Sequence, residues 1–206
     1  MFWPRIYIFF RSIILPISKI EKLLPKKGTY IVMVKSYSAL SKIIRFGMRV
    51  EQLFKREKYV DLNHADILID GMVSGAIAGG VANRTVNSSY LSDGKKRELY
   101  LFKVKVPKGK KVVLRDFCLD SDNKRYEVLN FLWHAIDILF HKWFGKKGKA
   151  ARKKVYCIEY AAMGINKLYP ELVKEPWLIN PNDLYKLLVS DNKFQLIEVI
   201  KVPITK

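Results

Sequence analysis

The run TYIVMVKS, residues 29 to 36, is short, β-branched and apolar, and it predicts a buried strand. Ser38 stands where a helix cap belongs, ahead of ALSKIIRFGM, in which Leu40, Ile43, Ile44 and Gly47 share one helical face. RVEQLFKREKYVD mixes both charge signs and reads as a solvated helix or loop. NHADILIDGMVSGAI predicts a hairpin turning at Asp70-Gly71. Period two puts His64, Asp66 and Leu68 on one face of its first strand and Ala65, Ile67 and Ile69 on the other. The stretch GGVANRTVNSSYLSDGKKR is rich in turn residues. After it, ELYLFKVKV and KKVVLRDF predict two more strands, divided by a turn from Pro107 to Gly109, and these strands pair naturally as an antiparallel sheet.

Helical spacing returns in RYEVLNFLWHAIDILFHKWF, where Val128, Leu132, Ala135, Ile136, Leu139 and Phe140 form an amphipathic stripe. A basic loop, GKKGKAARKK, follows with six Lys/Arg and no acid. KVYCIEYAAMGINKL then predicts a helix beginning at Cys157, its apolar side built from Ile158, Ala161, Ala162, Ile165 and Leu168. In INPNDLYKLL, Asn180 is placed as N-cap, Pro181 as the first helical residue and Asp183 in the first turn. FQLIEVIKV predicts a last strand, and the whole predicts an α+β fold.

Residues 1 to 27 have a different character from the domain expected over 28 to 206. Ile6, Phe9, Phe10, Ile13, Ile17, Ile20 and Leu24 recur at helical spacing beside Lys19, Lys22, Lys26 and Lys27. Arg11 and Pro16 break the apolar runs well short of the ~20 residues that span a bilayer. A basic n-region and a small-residue cleavage site are both lacking, which argues against a secretory signal peptide. The segment reads as an anchor at a membrane interface or as a helix docked on the domain or on a partner.

Composition adds charge to this picture. The net charge of +19 favours anionic partners, among them phospholipid head groups, acidic wall polymers and nucleic acid. The basic loops are accompanied by no helix-turn-helix, zinc-finger or aromatic-platform signature, so nucleic acid is not the favoured partner. Two cysteines, Cys118 and Cys157, imply no disulfide framework and fit a reducing compartment. A cytoplasmic, peripheral-membrane or virion location is the expectation.

Candidate chemistry centres on Cys157. A helix N-terminus lowers a thiol pKa by directing free N–H groups at the sulfur, and Cys157 sits where such a helix begins. Its base must come from elsewhere in the chain, and of three histidines His64, at a strand start beside Asn63, is the first choice. His134 and His141 flank Asp137 on the long amphipathic helix, but a fourth ligand is lacking and no metal is expected there. Cys118 reads as a buried small hydrophobe.

The order of YIVMVKSYSALSKIIRFGM, NHADILIDG, AGGV, VVLRDF, VYCIEYAAMGIN and INPNDL resembles the circularly permuted papain-like cysteine hydrolases. These form the YiiX-like branch of the superfamily that includes NlpC-type cell-wall peptidases and lecithin retinol acyltransferase. The resemblance covers about residues 28 to 190. It implies an antiparallel papain-like sheet packed on the cysteine-bearing helix, with Cys157 as nucleophile and His64 as base. The family's Cys-Ser-Glu motif reads Cys157-Ile158-Glu159 here. Tyr126, ahead of the long helix, is a further candidate contact.

The family usually carries a polar residue, often glutamate, on the strand after the histidine hairpin. MVSGAIAGG offers no carboxylate at that place, so Ser74 is the nearest polar substitute. Asp66 shares the face of His64, but about 7 Å along the same strand, an awkward spacing for a direct hydrogen bond. The resemblance implies a thiol-dependent hydrolase or acyltransferase of amides or esters, with peptide, peptidoglycan-peptide or lipid-amide substrates and no cofactor. The alternative is a catalytically degenerate papain-like scaffold whose basic surfaces hold an anionic partner.

Overall fold

The computed structural model describes residues 17–37, 42, 45–46, 49, 61–77, 79–122, 125–126 and 154–204. In chain order its elements are α1 (Ile17–Leu23), β1 (Thr29–Ser36), β2 (His64–Ile69), β3 (Met72–Ile77), β4 (Gly80–Thr85), α2 (Val86–Tyr90) and β5 (Arg97–Val104). They continue with α3 (Lys110–Asp120), β6 (Arg125–Tyr126), β7 (Lys154–Val155), α4 (Cys157–Leu168), a 3-10 turn at Pro176–Leu178, α5 (Pro181–Ser190) and β8 (Phe194–Val202). The fold is α+β. Six strands form one sheet in the order β4-β3-β2-β1-β5-β8, every pair antiparallel, and β6 and β7 form a short parallel ladder.

Helices cover both faces of the sheet, which is why β1 is apolar at successive positions. Ile31, Met33, Ala65, Ile67 and Ile69 point to the side of α3, α4 and α5. Val32, Val34, Leu68 and Val73 point to the side of α1 and α2. Ile20 and Leu24, part of the apolar N-terminal pattern, pack into this second layer. Residues 1–16 and the predicted long helix with His134, Asp137 and His141 lie outside the described residues. No helix among the described residues is long and apolar enough to cross a membrane.

The hairpin turn falls at Asp70-Gly71, both with positive φ, the geometry that a two-residue connection between twisted strands requires. Lys42, Arg45, Phe46 and Arg49 are helical, in and just after the segment predicted behind Ser38. KKVVLRDF is a correction: it is not a strand but most of α3. Leu114, Phe117 and Cys118 are buried at helical spacing, while the β-branched Val112 and Val113 that suggest a strand are exposed. The turn-rich stretch after the hairpin likewise contains β4 and α2.

Packing of α4 on the sheet fixes the site. All five predicted apolar residues of this helix are buried, and Ile158, Ile165 and Leu168 each contribute about 1.5–3 kcal/mol by leaving water. Gly164 lets β2 approach closely, since a Cβ at this position would meet Ile67 Cδ1 at 2.3 Å.

Candidate active site

Cys157 is the first residue of α4, and Tyr156 before it has extended backbone at the N-cap. The Tyr156 hydroxyl donates to the Ile179 carbonyl at 2.6 Å and ties this helix start to the segment leading into α5. That segment is held in turn by the Asn180 side chain, which accepts from the Asp183 N–H at 2.8 Å as an N-cap. Tyr126 pairs with Val155 through β6 and β7, so its main chain runs beside the approach to Cys157; its side chain is outside the described residues.

His64 opens β2 and pairs with Val34. Its face is that of Asp66 and Leu68, opposite to the face on which α4 packs. Standing at the strand's first residue, its ring still reaches the N-terminal end of α4. Cys157 Sγ lies 4.0 Å from the carbonyl oxygen of Asn63, and the sulfur acts on the His64 ring both as a charge and as a hydrogen-bond partner. The two residues expected to meet do so across the end of the sheet.

Asp66 is the group that orients the imidazole. Its Oδ1 lies 2.9 Å from His64 Nε2, which leaves Nδ1 as the ring nitrogen that this carboxylate does not engage. The backbone spacing of residues two apart along a strand is bridged because both side chains lean toward each other. Room for this comes from Gly75, directly across on β3, where a Cβ would lie 1.7 Å from Asp66 Oδ1. Tyr90 donates to Oδ2 at 2.8 Å, and Arg84 Nη2 donates to Oδ1 at 3.4 Å.

Ser74 does not orient the histidine. It pairs with Ile67 and therefore faces α4, where its hydroxyl lies 2.7 Å from that of Tyr160 in a buried contact. Cys118, fully buried, shares this cluster, and burial pushes its thiol above the ordinary range. Arg84 and Tyr90 are absent from the sequence reading because they belong to the segment that looks like turns. For Asp66 a signal exists: it is the single charge in HADILI, on the face of His64 and opposite a glycine.

Electrostatics match the geometry. Burial works against a charged His64, but the Asp66 carboxylate and the Cys157 sulfur outweigh it and push its pKa up to about 10. Burial also works against the Asp66 charge, yet His64, Arg84 and Tyr90 hold this carboxyl below the usual carboxylate range. The Asp66 side chain is 1% exposed and that of His64 is 23% exposed, so the imidazole is the part of the pair that meets solvent. Cys157 itself is 2% exposed.

Neither a protein-family model nor a curated protein matches the chain.

Among the described residues, no group of three or more His, Cys, Asp or Glu side chains is arranged to hold a metal ion. The arrangement that is present, a thiol at a helix start, an imidazole beside it and a buried carboxylate behind the imidazole, is suited to nucleophilic attack by sulfur.

Proposed function

We propose that the chain is a thiol-dependent hydrolase or acyltransferase of amides or esters with a permuted papain-like fold. The observation that carries this reading is the continuous line from Cys157 through His64 to Asp66. His64 takes the thiol proton, and the thiolate forms a bond to the carbonyl carbon. The tetrahedral oxyanion is met by the Cys157 backbone N–H at the start of α4. Collapse expels the amine or alcohol, which receives the proton from His64, and leaves a thioester. Water or another nucleophile, deprotonated by His64, then releases the acyl group and restores the thiol.

Peptides, peptidoglycan peptides and lipid amides all present the required carbonyl. The net charge of +19 supports action at an anionic membrane or wall surface, with residues 1–27 as the proposed point of attachment. A second reading, a papain-like scaffold that no longer catalyses, is favoured by the 2% exposure of Cys157. Alkylation of the full chain with iodoacetamide at pH 7 separates the two. An activated Cys157 reacts faster than Cys118, and His64→Ala slows it at least about tenfold. Equal rates at both cysteines, unchanged in His64→Ala, overturn the hydrolase reading.

A further inference from the structure

A cavity of about 560 Å³ opens on the sheet face that carries His64 and Asp66, and both residues belong to its wall. This volume lies within the range of small-molecule sites. The charged wall otherwise consists of Arg84, Lys95, Lys96, Arg97 and Asp93. Four Lys/Arg side chains, besides His64, thus face two carboxylates.

Both carboxylates are already engaged. Asp66 accepts from Tyr90 and Arg84 and holds His64. Asp93 takes the Arg97 guanidinium, with Lys95 Nζ 3.7 Å from its Oδ2. Lys96 Nζ instead lies 5.2 Å from the centre of the Tyr37 ring. Lys35 and Arg45 sit over the same ring at 5.5 and 5.3 Å, but these two also have Asp61 at 2.9 and 3.4 Å. The excess positive charge of the wall therefore collects around Lys95 and Lys96, at a cavity whose apolar lining, including Val34 and Ile77, strengthens the field inside it.

We propose that this cavity binds an oxyanionic group, a carboxylate or a phosphate, of a ligand seated against His64, with Lys95 and Lys96 as its main contacts. Cys157 is not part of the cavity wall, so the bound group lies on the far side of His64 from the thiol. Taken with the hydrolase reading, on which only the ligand's role as substrate rests, the substrate class narrows to amides or esters that carry such a group away from the reacting carbonyl. A neutral acyl chain offers the two lysines no counter-charge beyond the Asp93 carboxylate that Lys95 shares with Arg97, and a cationic one is repelled.

The test uses the full chain with Cys157→Ala, so that binding is read without chemistry. It is titrated by calorimetry with inorganic phosphate, with N-acetylglutamate and with the neutral diamide of N-acetylglutamate. At least one of the two anions binds while the diamide does not, and Lys95→Gln with Lys96→Gln weakens that binding at least about tenfold. Phosphate alone points to a phosphorylated ligand or head group, and N-acetylglutamate alone points to a carboxylate. No binding of either anion, or the same affinity in the double lysine variant, overturns the proposal. Failure here with a fast-reacting Cys157 in the natural chain rejects the anion site alone; anion binding with an inert Cys157 rejects the hydrolase alone.

Discussion

The Asp66 carboxylate fills the space that a side chain at Gly75 would need: a Cβ there would fall 1.7 Å from Oδ1 and 2.9 Å from Cγ. Gly75→Ala therefore displaces Asp66 from His64 or pushes β3 from β2. The expected cost is about 1–3 kcal/mol of stability, read from urea unfolding, together with slower alkylation of Cys157. Full stability with an unchanged rate would show that Asp66 is not held where the structure puts it.

Asp66→Asn keeps the shape and removes the charge. The His64 pKa then falls from about 10 toward its ordinary 6.5, and an NMR titration of the imidazole follows it. At neutral pH the positive charge beside Cys157 is lost, and under the hydrolase proposal the rate is expected to drop by about 10²–10⁴-fold. An unmoved imidazole titration would count against Asp66 as the positioning carboxylate.

Ser74→Ala separates the site from the core behind it. Its hydroxyl meets Tyr160, which also has Cys118 and Ser121 as hydrogen-bond neighbours, so the loss is one buried contact among several. About 1 kcal/mol of stability is expected to go, with no change in Cys157 alkylation. A slowed reaction at unchanged stability would return Ser74 to the catalytic set.

The raised pKa of His64 makes stability depend on pH in a definite direction. A group whose pKa is higher in the folded chain stabilises the fold fully below its unfolded value, here 6.5, and loses that contribution as pH rises through about 10. Asp66, with its pKa lowered, acts in the opposite sense and loses its contribution as acid protonates it below the usual carboxylate range. Urea midpoints measured from pH 6 to pH 10.5 should fall, and less so in His64→Gln. Parallel curves for the two proteins would contradict the link.

Much of the fold is legible along the chain because local signals and packing agree. TYIVMVKS, the Asp70-Gly71 hairpin and the Asn180-Pro181 helix start each carry one dominant cue, and the structure keeps each where the cue places it. KKVVLRDF misleads because its β-branched pair lies on the exposed side of α3, while the helix is decided by Leu114, Phe117 and Cys118 against the core. The Cys157–His64 encounter is anticipated from residue types and order. Asp66 carries the weaker signal of a lone charge on the His64 face, and its bond to His64 is not anticipated because backbone spacing along one strand does not measure the room that Gly75 leaves on the next. Arg84 and Tyr90 reach Asp66 only through tertiary packing, which no local pattern records.

The meeting of Cys157 with Asn63 and His64 closes a loop of 94 residues. During synthesis at about 5–20 residues per second, Asn63 and His64 are made roughly 5–20 seconds before the cysteine. β1 to β4 pair with sequence neighbours and can form in that interval, whereas the thiol gains its base only when α4 docks. Until α4 docks, Cys157 lacks its His64 neighbour, so under the proposed function the nucleophile would be assembled as one of the last acts of folding.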